Sequence, residues 1–402
     1  MHFNHFYIPP ILLFILVLAS CGSKDSAKSA TTEDAIDQES ETVREPPRLP
    51  PPPGESGPIL VRLENHFPTQ IFAAAANEKW IAMGIQSDIR DITQCPETEI
   101  PVCFEGDAVI VERLNPNNPK RLKLYESDTQ SGSRIDDVAA SSDRFVFVLS
   151  EGLYVGDTKK TRLAIVDETA KLVQMVDLAK SEYQITQTAM APWQDDRILI
   201  CSSFTPNTGN PGIRCDALEP KTAKLTPVIS LNMRQPVRNL DVAVLGEQAL
   251  LVWIDSGFAK AVRLDKTDEP LVLGQSTAHE VHAAAGLNEF AVIWQGDDAQ
   301  MRVDRIPYGQ SLKSLERKMI LLNGLDYRTV GDLVAISQGY VFAFRHQNTQ
   351  QMALITPDFS GWHIIDNSNS WRFMSDYASL DIQEAHTGKI VWQTAESLIG
   401  LQ

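Results

Sequence analysis

The sequence predicts an all-β fold, a seven-bladed β-propeller with four strands per blade, and three observations point there. A fifteen-residue pattern recurs, made of small residues, a polar turn and then an apolar, β-rich run. Its clearest copies begin at Asp136 (DDVAASSDRFVFVLS), Leu240 (LDVAVLGEQALLVWI), Val281 (VHAAAGLNEFAVIWQ) and Gly331 (GDLVAISQGYVFAFR), with a more divergent one at Gln187 (QTAMAPWQDDRILIC). The spacing inside the copies is fixed: eleven places after Val138, Ala189, Val242, Ala283 and Leu333 stand Leu149, Ile200, Trp253, Trp294 and Phe344. Those five anchors lie 51, 53, 41 and 50 residues apart, within the period of roughly 40 to 50 residues that propeller blades show. Looser copies from Gln70 (QIFAAAANEKWIAMG) and Ser375 (SDYASLDIQEAHTGKIVWQ) bring the total to seven units.

Residues 1–20 read as a signal peptide, because the apolar run Ile11 to Ala19 is too short to span a bilayer and fits an h-region. Leu18-Ala19-Ser20-Cys21 resembles the lipobox of bacterial lipoproteins. That resemblance implies that Cys21 becomes the first residue of the mature chain and carries the lipid, anchoring the protein in the cell envelope. Gly22 at the following position resembles lipoproteins forwarded to an outer membrane. The n-region departs from the family in having His2 and His5 but no Lys or Arg. Residues 21–58 form the linker. Its first half is polar and acidic, too poor in apolar surface to offset the entropy of ordering. Its second half, EPPRLPPPPGESGP, favours extended polyproline II and serves as a stalk or as a docking ligand.

The propeller then occupies residues 59–402. Each unit divides into four short strands, as in the second, where Asp137–Ala140, Phe145–Ser150, Arg162–Asp167 and Lys171–Leu178 follow one another outward. Small residues suit the innermost strand because radial sheets crowd at the axis. The last unit offers Tyr377–Leu380, Lys389–Thr394 and Ser397–Leu401 but lacks an outer strand, and Ile59–Glu64 (ILVRLE) is the run expected to supply it and close the ring. Of five cysteines, the lipobox uses one and leaves an even four. Cys95 with Cys103, and Cys201 with Cys215, each close a short loop and are read as disulfides, which fits an oxidising compartment.

A formal net charge of −16 argues against nucleic acid as a partner, whose binding relies on Lys and Arg neutralising phosphate. No glycine-rich phosphate loop, G-x-S-x-G elbow or HExxH is present. The turns Ile165–Met175 (IVDETAKLVQM), Leu218–Leu225 (LEPKTAKL) and Glu384–Trp392 (EAHTGKIVW) resemble the Asp-x-x-Thr-Gly-Lys turn of quinoprotein-like propellers, among them outer-membrane assembly lipoproteins, with Ala170 standing for the family's Gly in the first. The resemblance supports the architecture and carries over no cofactor; none is expected.

The residue before each anchor forms a column: Asp137, Thr188, Asp241, His282, Asp332 and Asp376, with Phe72 in the first unit. These positions enter the inner strand together and should ring one mouth of the central channel. In one reading each Asp accepts backbone N–H groups in the turn leading into its strand. In the other they form an acidic rim that binds a cation or a basic segment of a partner. The functional expectation is a membrane-anchored, non-catalytic platform that binds a protein or envelope polymer; the alternative is an exported propeller enzyme acting on a glycan or small molecule.

Overall fold

The computed structural model describes residues 59–61, 69–77, 79–89, 103–112, 115–128, 133–151, 160–178, 183–264, 270–276, 280–309, 312, 318–322, 330–336, 339–346, 349–366, 382–385, 389–393 and 398–401. The signal peptide, Cys21, the linker, Cys95 and Asp376 lie outside them, as do the side chains of Cys103 and Asp332.

The fold is all-β. After β1 (Ile59–Val61), a first sheet holds β2 (Thr69–Ala76), β3 (Trp80–Ile89), β4 (Cys103–Glu112) and β5 (Asn115–Asp128). The second holds β6 (Arg134–Ala140), β7 (Arg144–Glu151), β8 (Lys160–Asp167) and β9 (Leu172–Asp177). In the third are β10 (Tyr183–Trp193), β11 (Arg197–Pro206), β12 (Gly212–Glu219) and β13 (Lys224–Asn232). The fourth comprises β14 (Arg238–Leu245), β15 (Gln248–Asp255), β16 (Phe258–Arg263) and β17 (Leu271–Gln275). The fifth has β18 (Val281–Ala285), β19 (Glu289–Gln295), β20 (Met301–Pro307) and β21 (Lys318–Leu321). The sixth has β22 (Val330–Ile336), β23 (Gly339–His346), β24 (Thr349–Ile355) and β25 (Trp362–Asp366). The remaining strands are β26 (Ile382–Ala385), β27 (Lys389–Gln393) and β28 (Leu398–Leu401), and β1 pairs antiparallel with β28, Leu60 opposite Ile399. Each sheet is an antiparallel meander, and the inner strands neighbour one another in chain order, β2 against β6, β6 against β10, and so on to β22.

The recurring apolar run is the second strand of each sheet, and its burial explains why it lacks strand alternation. Phe145 to Ser150, Ala249 to Asp255 and Glu289 to Trp294 are buried at every position, as expected for a strand covered on both faces by neighbouring sheets. The core accordingly lies between sheets. Phe147 and Ile135 of the second pack with Ala82 and Ile110 of the first, and Phe342 of the sixth packs with Ile293 of the fifth. Outer strands, by contrast, are largely solvated, as β9 and β13 show.

One described element is absent from the sequence reading. The strand described before β27 is Ile382–Ala385, with Ala385 paired to Lys389, and Tyr377–Leu380 lies outside the described residues.

Candidate functional site

The predicted column is best described where its side chains are defined, at Asp137, Asp241, His282 and Thr188. Asp137 Oδ1 accepts the N–H of Val138 at 2.7 Å, and its Oδ2 accepts the N–H of Met190 on the inner strand of the next sheet at 2.7 Å. Asp241 repeats the arrangement, Oδ1 with Val242 N at 2.7 Å and Oδ2 with Ala283 N at 2.8 Å. The physical cause is the inner edge of each sheet. An innermost strand pairs on one side only, so alternate N–H groups face the axis and need acceptors. A carboxylate with two oxygens bridges its own strand and the next, tying adjacent sheets together.

Sequence reasoning missed Asn239, which serves the same edge: its Oδ1 accepts Val281 N at 3.1 Å, two residues before the N–H taken by Asp241. Its left-handed backbone, φ 46°, is one that Asn adopts more readily than most residues. The alternation Asn239-x-Asp241, matched to alternate N–H groups, was the signal available. His282 Nδ1 lies 3.8 Å from Asp241 Oδ2, so the structure brings these two column members together. Thr188 Oγ1 instead lies 3.3 Å from Ser202 Oγ within its own sheet. The N–H that Asp137 reaches is two residues beyond Thr188, whereas the one that Asp241 reaches is one beyond His282. Equal spacing in sequence is therefore not an equal level in the ring.

A second tier of ties joins the turns at the other end of the inner strands. Asn77 Nδ2 donates to Ser141 O at 3.0 Å and Ser142 O at 3.2 Å. Ser142 in turn donates its N–H and hydroxyl to Asp196 at 2.6 and 2.7 Å. Burial raises the Asp196 carboxyl, but the two Ser142 bonds and Lys221 outweigh it and hold the group below its usual range. Between the fifth and sixth sheets Glu289 pairs with Arg305 and accepts the Tyr340 hydroxyl at 3.4 Å. Burial first, and the Glu289 charge second, push the Tyr340 hydroxyl well above its ordinary value, so it stays a donor.

Cys201 and Cys215 sit opposite each other on β11 and β12 and form a disulfide, both fully buried beside Trp253. Cys95 lies outside the described residues, so the other expected pair has no structural account. Among the described residues no group of three or more His, Cys, Asp or Glu is placed to hold a metal ion, and no helix is long and apolar enough to cross a membrane.

This architecture defines the chain as a β-propeller, and solved structures agree. A chain of the mitotic checkpoint complex is 11% identical, with 88% of this chain and 98% of that one covered and a TM-score of 0.53. The β-propeller domain of the Trilobed protease from Pyrococcus furiosus, described as having an open velcro topology, is 7% identical, with 84% and 94% covered and a TM-score of 0.52. Streptogramin B lyase is 10% identical, with 86% and 97% covered and a TM-score of 0.50. At such identities the likeness is one of fold. No family profile matches the chain, and no curated protein matches it.

Proposed function

We propose that the chain is a lipid-anchored, non-catalytic propeller of the bacterial cell envelope that binds a protein or envelope polymer. The observation that carries this reading is where the exposed large apolar side chains lie. Of nine among the described residues, six (Phe258, Val272, Leu287, Tyr308, Met319 and Leu321) lie in the fourth and fifth sheets or in the connections beside their strands. Exposed apolar side chains concentrated on two neighbouring sheets, on a protein whose formal charge is −16, favour contact with a partner there. The sequence Leu18 to Cys21 supports the anchor, residues 21–58 a stalk, and the Cys201–Cys215 disulfide an oxidising compartment. Cys95 and Cys103 complete the disulfide set in this reading. A ring of seven blades is supported by β26 lying against both β22 and β2, and by β1 filling the outer place beside β28.

Two measurements test it. Wild type should partition into detergent and Cys21→Ser into the aqueous phase; equal aqueous partitioning would remove the anchor. Crosslinking of immobilised protein in envelope extract should retain a partner that is lost when Leu287, Tyr308, Met319 and Leu321 are all replaced by Ser. Retention by both proteins would remove the apolar sector as the contact surface, and retention by neither would return weight to an exported enzyme.

A further inference from the structure

Within that apolar sector lies a cavity of about 410 Å³, between the outer strand of the fourth sheet and the flank of the fifth. Its floor is apolar and fixed. Leu273 and Trp294 are each 3% exposed, and the indole is held in place because Nε1 donates to the buried Asp304 carboxylate at 2.7 Å. Gly274 is what admits the ring so close to the strand: a Cβ there would stand 2.3 Å from Trp294 Cη2. Met319, 44% exposed, forms an apolar wall on the solvent side.

The polar wall is charged unevenly. Arg302 lies over the indole, Cζ 5.2 Å from the ring centroid, and both its Nη atoms donate to Asp298 at 2.7 Å. Nη1 also donates to Gln300 O at 3.0 Å, so this guanidinium is already committed. Asp298 is held ionised, its carboxyl lowered to about 2 chiefly by the Arg302 hydrogen bond. The neighbouring Asp297 lines the cavity and is exposed; its charge acts on Arg302, whose hydrogen bonds go to Asp298 instead. Its backbone N–H donates to Gln275 O at 3.1 Å, which fixes the turn across the rim. One cation and two carboxylates thus leave the rim with a net negative charge beside a rigid apolar floor.

We propose that this groove docks a segment of a partner protein that presents one large apolar side chain with a Lys or Arg close by. The apolar side chain enters between Leu273, Trp294 and Met319, and the cation meets Asp297. The cavity is open to solvent past Met319 rather than deeply enclosed, as small-molecule and cofactor pockets are, which suits a side chain presented from a surface. Charge complementarity selects the basic neighbour, and the preformed floor spares the ordering cost that a mobile site would carry. This inference rests on the platform reading above and narrows its partner to a protein.

The test uses the full chain and short synthetic peptides that carry Leu or Phe beside Lys, with matched peptides in which Lys is Glu or the apolar residue is Ser. Fluorescence polarisation should show the Leu-Lys and Phe-Lys peptides binding best, with an affinity that weakens as salt rises. Asp297→Lys, a change at an exposed position, should reverse the preference to the Glu peptides by about tenfold or more. Met319→Ser should weaken all apolar peptides while leaving the charge preference in place. An unchanged preference in Asp297→Lys, or equal binding of the Ser peptides, overturns the groove assignment. The envelope crosslinking described above then separates the two failures. A partner still held by wild type and by Asp297→Lys leaves the platform standing without this groove, whereas no peptide and no partner removes both.

Discussion

Ala170 has φ 60° and Ala223 φ 56°, the left-handed backbone that an L residue enters at a cost of about 1 to 2 kcal/mol and Gly enters freely. The first is the position at which the resemblance to quinoprotein-like turns would imply Gly. Around it the turn is otherwise complete, with Ala170 N bonded to Asp167 O at 3.0 Å and Asp167 Oδ1 accepting Thr169 N and Lys171 N at 2.9 and 3.0 Å. Ala170→Gly and Ala223→Gly should each raise stability by about 0.5 to 1 kcal/mol, net of glycine's greater freedom in the unfolded chain. The urea midpoint reads this, and a fall in both variants would refute it. Phe359 also has a positive φ, 55°, yet Phe359→Gly should destabilise, because its ring packs edge-on against Tyr340 at 5.4 Å. The column carboxylates make the opposite case. Asn offers one acceptor oxygen where Asp137 and Asp241 use two, and its amide would face a backbone donor. Asp137→Asn and Asp241→Asn should therefore each cost about 1 to 3 kcal/mol. Unaltered thermal unfolding in both would show that these groups do not tie the sheets.

At the scale of elements, the strands that the sequence showed most plainly were the second ones, because burial on both faces writes a continuous apolar run. Inner strands were legible from their small residues, but their level in the ring was not. The register of β6 skips Asp136, that of β10 skips Thr186 and that of β14 skips Asn239. These bulges lie before the column in all three strands and do not separate them; the hairpin does, since Asp137 stands opposite Val148 and Asp241 opposite Val252 whereas Thr188 stands opposite Ser202, so Thr188 sits farther from its turn and does not repeat the role of Asp137. Ties between sheets were equally hidden, since Ser142 and Asp196 are 54 residues apart and each resembles an ordinary turn residue. That tie has a defined pH response. Asp196 titrates below its ordinary 3.8 in the folded chain, so its contribution is full above about pH 4 and declines as pH falls through the folded value. Hydrogen exchange at the Ser142 amide, corrected for intrinsic rate, should show protection at neutral pH that is lost in acid. Asp196→Asn should reduce that protection at neutral pH. Protection that persists in acid, or in the variant, would place the tie elsewhere.

For the whole molecule, cores that lie between sheets mean that each sheet depends on both neighbours. Phe147 of the second sheet packs toward the first, while Val146 and Val148 of the same strand pack with Ile198 and Ile200 of the third. Unfolding of one sheet strips the apolar cover from two others, so the described domain should melt as a unit. The pairing of β1 with β28 is where this cooperativity can be tested. Three residues are involved, Ile59 opposite Gly400, Leu60 opposite Ile399 and Val61 opposite Leu398. β28 pairs with β27 on its other side, so without β1 a row of its N–H and C=O groups becomes an open edge. The lost hydrogen bonds contribute only about 0.5 to 1.5 kcal/mol each, but in an interdependent ring their loss is felt throughout. Deleting residues 22–56 should leave the midpoint of thermal unfolding nearly unchanged, whereas deleting 22–64 should lower it by several degrees within a single calorimetric transition. The longer deletion should also associate at concentrations where the shorter one stays monomeric, since an open edge pairs with another chain. Equal midpoints for the two truncations would show that β1 contributes nothing to closure and that the ring is held by its inner strands alone.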